Sequence, residues 1–174
     1  MQVVPFRSGD MAGKREIAVQ QAETEAAKQS GIRRQLYELQ ASIGRELPEV
    51  ECPLQHVFAP GVYVRTMFIP AGTVIVGKIH KHSHPNILSQ GTVRVMTEGE
   101  GDRELTGPLS MVSPPGTKRA LLALTDVVWS TVHLNPTNST DLAEIEADVI
   151  APTFEAYEQF ALENTMTNGI EVAL

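Results

Sequence analysis

Three stretches of the chain differ in the period of their apolar positions. In the first, Ile32, Leu36, Leu39 and Ile43 recur at spacings of four, three and four, the stripe of an amphipathic helix. Ser30-Gly31 punctuates it before, and Gly44 and Pro48 stop it after. Upstream, Lys14 to Gln29 is rich in good helix formers, with a thin stripe of Ile17, Ala18, Ala22 and Ala26. In the second stretch the period drops to two. Gly61 to Ile69 alternates, with Val62, Val64, Thr66 and Phe68 on one face. Pro70-Ala71-Gly72 is a turn, Thr73 to Ile79 is β-branched, and Thr92 to Thr97 alternates again before the turn-like Glu98 to Asp102. Leu109 to Ser113, Lys118 to Leu124 and Val127 to His133 complete a set of short strands. Such a set, with Gly/Pro turns between its members, predicts a sandwich or barrel. In the third stretch, Ser139 or Thr140 is placed to cap a helix carrying Asp141 and Glu144 in its first turn, with Leu142, Ile145 and Val149 as its apolar side. Pro152 interrupts it, and Phe154, Tyr157 and Phe160 form a second helical face. The expectation is a mainly β chain: a helical extension over 1–50, a β-barrel over 51–135 and a second helical extension over 136–174.

Composition narrows the function. The chain has 174 residues, 42% of them apolar, enough for one core. Its net charge of -7 argues against general affinity for nucleic acid or anionic membranes. Cys52 is the single cysteine, so no disulfide forms within one chain. Met1 to Arg7 lacks a long apolar region and does not read as a secretory signal. No run approaches the ~18 apolar residues of a membrane span. A cytoplasmic or virion location is expected.

Glycines and histidines then fall in a recognisable register. Gly72 is followed after five residues by Lys78-Ile79-His80, after three more by His84, and after six more by Gly91. Gly107 precedes Pro114-Pro115-Gly116, with Arg119 two residues on and Ala123 three beyond that. This register resembles the two motifs of the cupin family over roughly Gly61 to His133. Its types match in part. Lys78 stands at the first histidine position, His80 at the second, His84 at the glutamate, Arg119 at the histidine of the second motif and Ala123 at its asparagine. The resemblance implies a single cupin-type antiparallel β-barrel, or jelly roll, with flanking helical segments. His80 to Asn86, Met111 to Arg119, Val127 to His133 and Val149 to Phe154 also resemble small cupin-like proteins encoded by tailed phages. That resemblance implies a phage accessory or virion protein with no defined reaction.

Chemistry concentrates at the histidines. On an extended strand His80, His82 and His84 share one face, and His133 shares parity with Val127, Trp129 and Thr131. Imidazoles so placed bind Zn, Fe, Ni or Mn. The opposing expectation is a barrel without metal, because Lys78 and Arg119 put cations at family ligand positions and cations repel a divalent ion. Those same two residues suggest a third use, a pocket for a carboxylate or phosphate. Trp129 is expected in the core, Cys52 is expected to be structural and His56 ordinary.

Three functions follow. Foremost is a non-catalytic structural or assembly protein, homo-oligomeric, docking through the Ile32, Leu36, Leu39 and Ile43 stripe on copies of itself or on other phage structural proteins. The plainer use of that stripe is packing on the chain's own barrel. Second is a metal-dependent enzyme of dioxygenase or isomerase type. Third is a small-anion binding module.

Overall fold

The computed structural model describes residues 20–21, 31–46, 48–98 and 100–170, with the side chains of 166–170 left aside. Apart from helical Gln20 and Gln21, the proposed Lys14 to Gln29 helix lies outside the described residues. Helix α1 spans residues 31–46. Ten strands follow: β1 Leu54–Ala59, β2 Gly61–Ile69, β3 Val74–Val76, β4 Ile79–His80, β5 His84–Gln90, β6 Thr92–Thr97, β7 Gly101–Thr106, β8 Leu109–Ser113, β9 Arg119–Ala123 and β10 Val127–Asn135. Helix α2 (Leu142–Val149), strand β11 (Ile150–Ala151) and helix α3 (Phe154–Ile170) close the chain.

The larger sheet runs β1-β2-β10-β5-β8 and the facing sheet β3-β9-β6-β7, all pairs antiparallel. Apart from the β1–β2 and β6–β7 hairpins and the short β4, strands consecutive in the chain cross from one sheet to the other, as in a jelly roll. Alternation supplies the filling. Ile69, Leu88, Val127 and Trp129 from the larger sheet meet Val93, Val95, Leu121 and Ala123 from the facing sheet in one buried cluster. This apolar plug fills one end of the barrel and leaves the other for polar groups. Cys52 packs beside it.

Strands β1, β5, β7 and β11 were not expected from the pattern. β7 falls partly on the stretch read as a turn. It is an edge strand of Gly101-Asp-Arg-Glu-Leu-Thr106, and its charges suit an edge that must not recruit another strand. The α2 cap sits one residue later than expected. Asp141 accepts from the Ala143 and Glu144 amides at 2.8 and 3.3 Å, while the Ser139 hydroxyl donates to Glu144.

Both extensions pack on the barrel. On α1, Leu36 has no exposed surface and Ile32 and Ile43 are half-buried, whereas Leu39 is exposed. Arg33 of the same helix makes a two-pronged ion pair with Glu98 and lies over the Phe154 ring. The helix therefore lies on its own chain, the plainer of the two uses of its stripe. On α3, Phe154, Tyr157 and Phe160 are each half-buried. Tyr157 covers Gly116, whose φ of +75° and lack of a side chain allow the close approach. Among the described residues no helix is long and apolar enough to cross a membrane.

Candidate functional site

Inside the barrel, at the end away from the apolar plug, three histidines converge. His80 comes from β4, His84 from the start of β5 and His133 from β10. One ring nitrogen of each lies within 4.8 Å of the others. Ring centroids are 4.0 Å apart for His80–His84, 5.1 Å for His80–His133 and 5.0 Å for His84–His133. His84 and His133 are buried and His80 is half-buried.

Alternation along one strand does not describe this group. The chain leaves β4 after His80 and turns through Lys81, His82 and Ser83 before β5 begins. His82 lies on that turn, exposed, with its ring edge-on to Phe160 of α3. It stands outside the cluster, a correction to the expectation that all three strand histidines share a face. Its carbonyl still matters. His84 Nδ1 lies 3.2 Å from the His82 oxygen. A carbonyl only accepts, so Nδ1 carries the proton and Nε2 keeps its lone pair.

All three imidazoles are held neutral. Burial pushes His80 down to about 2, helped by His84, His133, Arg65 and Arg119. Burial also lowers His133 to about 4, with His84, Arg65 and His82 adding to it. His84 falls for the same first reason, partly offset by its bond to the His82 carbonyl. A neutral imidazole is the form that ligates metal.

Beside the histidines lies a cavity of about 90 Å³. Its apolar wall includes Met67, Ile75 and Leu121, and its polar side includes Arg65, Ser113 and Arg119. No carboxylate is among its lining residues. A chain of hydrogen bonds crosses the polar side. The Trp129 indole donates to Asn86 Oδ1 at 3.0 Å, Asn86 Nδ2 donates to Ser113 Oγ at 2.7 Å, and Arg119 Nη2 donates to the same oxygen at 2.5 Å. Trp129 thus belongs to the core as expected and also orients this network.

The two expected cations separate. Arg119 faces the cavity, where burial lowers its pKa and Glu100 opposes the fall. Lys78 borders the cavity, but its ammonium is half-exposed and paired with Glu146 of α2. Both residues of the expected Lys78–Arg119 pair thus border the cavity, with the Lys78 ammonium turned to Glu146. The second cavity arginine is Arg65, which the sequence pattern passed over. On β2 it shares the inward face with Tyr63, Met67 and Ile69. Both faces of β2 carry apolar residues, so parity alone did not say which was inside. A lone arginine amid an apolar face was the available signal. Tyr63 is buried behind the cluster, stacked on His133 and bonded through its hydroxyl to His56 Nδ1 at 2.7 Å.

No family model and no curated protein matches the chain. Solved structures do match it. A cupin superfamily protein from Desulfitobacterium hafniense aligns over 51% of this chain and 82% of its own at 11% identity, with a TM-score of 0.43. KdgF from Halomonas sp. aligns over 51% and 84% at 21% identity, TM-score 0.43. Ectoine synthase from P. lautus aligns over 49% and 65% at 14% identity, TM-score 0.43. At these identities the likeness concerns fold, which the strand pairing above defines independently. A virion role rests on the sequence segments alone.

Proposed function

We propose that this chain is a metal-binding barrel protein in which His80, His84 and His133 hold a divalent transition metal beside a small-molecule cavity. One observation carries it: three imidazoles from three separate strands bring ligand nitrogens within 4.8 Å of one another. The donor set fits such an ion. It is all nitrogen, which suits Zn(II), Fe(II) or Ni(II) better than Mn(II), whose preference is oxygen. The His84–His82 carbonyl bond is the kind of outer contact that fixes a ligating imidazole's tautomer and direction. A bound ion would supply Lewis-acid polarisation to a ligand in the cavity. The chain's own residues exclude bulk water with Met67, Ile75 and Leu121 and orient the ligand with the arginine side. Lys78 turns to Glu146, so the cations beside the histidines are Arg65 and Arg119.

The test is metal content of untagged protein purified without chelator. Near-stoichiometric metal is expected. It should fall at least tenfold in His80→Ala, His84→Ala and His133→Ala and persist in His82→Ala, with circular dichroism reporting that each variant is folded. Metal-free wild-type protein, or loss in His82→Ala equal to the others, would sink the idea.

Assembly between copies remains a second reading, supported by the outer face of the larger sheet. Val57, Phe68, Val112 and Leu134, spread over β1, β2, β8 and β10, are 47, 41, 65 and 75% exposed there. Light scattering should give at least a dimer, dispersed by Val112→Lys with Leu134→Lys. A wild-type monomer at tens of micromolar would count against it.

A further inference from the structure

The cavity's hydrogen-bonding groups are unbalanced. A guanidinium is all donor and no acceptor, and two guanidiniums, Arg65 and Arg119, face the same small space. Arg119 places one N–H on Ser113. Arg65 has no side-chain hydrogen bond or ion pair among the described residues. Ser113 is 2% exposed, and its oxygen accepts twice, from Asn86 and from Arg119. Both lone pairs are then used, and the hydroxyl hydrogen is left to donate. The Asn86 nitrogen beside it cannot take it, because that nitrogen is itself a donor to Ser113. The polar side of the cavity therefore offers donors and positive charge, with no carboxylate in the lining to answer them. Ser113 is buried and the two arginines are half-buried, and polar groups withdrawn from water require partners.

We infer that the cavity is a binding site for a small carboxylate, held by Arg65, Arg119 and the Ser113 hydroxyl, with a short apolar group against Met67, Ile75 and Leu121. The inference deepens the proposal that this cavity is the working site, but the arginine pair acts whether or not a metal is present. Size limits the ligand. At roughly 10–15 Å³ for each water-sized group, a cavity of about 90 Å³ takes a ligand of about six to nine heavy atoms. Shape favours a carboxylate over a phosphate. The planar fork of arginine matches the two coplanar oxygens of a carboxylate. The apolar wall opposite calls for a hydrocarbon group that inorganic phosphate lacks.

Calorimetry and thermal scans on the full chain test this with butyrate, 2-oxobutyrate, the neutral isostere butyramide and inorganic phosphate. Each is measured on chelator-treated and on zinc-loaded protein. At least one carboxylate should bind tenfold or more tightly than butyramide and than phosphate, already in the chelator-treated protein. Arg65→Met and Arg119→Met should each weaken it at least tenfold. Should either variant fail to fold, the amide comparison decides the matter on unaltered protein. Equal binding of butyramide, tighter binding of phosphate, no binding across the panel, or unchanged binding in folded arginine variants would each overturn the assignment. Carboxylate binding by protein that holds no zinc would leave it standing while the metal proposal fell. Zinc retention without carboxylate binding would do the reverse.

Discussion

Lys118 and Arg119 are neighbours in the chain and occupy opposite worlds. Arg119 enters the barrel. Lys118, 4% exposed, turns outward beneath α1, where its ammonium donates to Gln40 Oε1 at 2.8 Å and to the Gly77 carbonyl at 3.2 Å, above the Tyr37 ring. Strand alternation causes the split, and it explains how a basic dipeptide serves packing with one residue and the cavity with the other. Gly91 and Gly116 show the same economy at single positions. A Cβ on Gly91 (φ +92°) would lie 2.3 Å from the Asp126 carbonyl, and one on Gly116 2.3 Å from the Tyr157 ring. Gly116→Ala should therefore cost about 1–3 kcal/mol from overpacking and left-handed backbone together. Denaturant melts would register the loss. Adding Tyr157→Ala should recover the steric share and leave the backbone share. An unchanged melt for Gly116→Ala would mean that α3 does not rest on this turn.

At the scale of elements, β4 is decisive and is only two residues long. A strand of Ile79–His80 has no independent stability. It is held by pairing with β11, where Ile150 faces His80 and Ala151 faces Ile79. The Lys81 amide donates to the Val149 carbonyl at 2.8 Å, and the Gly116 amide donates to the His80 carbonyl at 2.9 Å. His80 thus takes its place from segments about 35 and 70 residues further along the chain. Helix α2 adds the Glu146 carboxylate that occupies Lys78, and packs Ile145 and Val149 against Tyr63 behind His133. The C-terminal elements therefore position His80 and support Tyr63 behind His133. This was beyond the reach of periodicity, which found α2 from its apolar side but carried no information about what a two-residue strand pairs with.

For the whole molecule, the buried histidines link stability to pH. In the unfolded chain each imidazole titrates near 6.5. In the fold, burial lowers all three, His80 to about 2 and His133 to about 4. Above about pH 6.5 both states are neutral there, and these groups cost nothing. As pH falls below that, the unfolded chain binds protons and the fold does not. Stability then declines by up to about 1.4 kcal/mol per pH unit for each histidine, down to that residue's folded value. Chelator-treated protein should melt markedly lower at pH 5 than at pH 7.5, and His133→Leu should flatten that slope. A melting temperature constant across the interval would show that these imidazoles are not held neutral.

How much of this the amino-acid order decided can be seen residue by residue. Alternation over Gly61 to Ile69, Thr92 to Thr97, Leu109 to Ser113 and Val127 to His133 determined those strands, because side chains on a pleated strand must point to opposite faces. The glycine spacing marked turns whose positive φ values the fold uses at Gly72, Gly91 and Gly116. Local order thus specified a mainly β barrel with helical flanks and named three residues of the histidine cluster. It could not say that the chain turns between His80 and His84, that His82 faces outward to Phe160, that Lys78 is paired with Glu146, or that Arg65 joins Arg119 at the cavity. Those outcomes depend on contacts between residues far apart in the chain, which only closure of the two sheets and docking of α2, β11 and α3 bring into being.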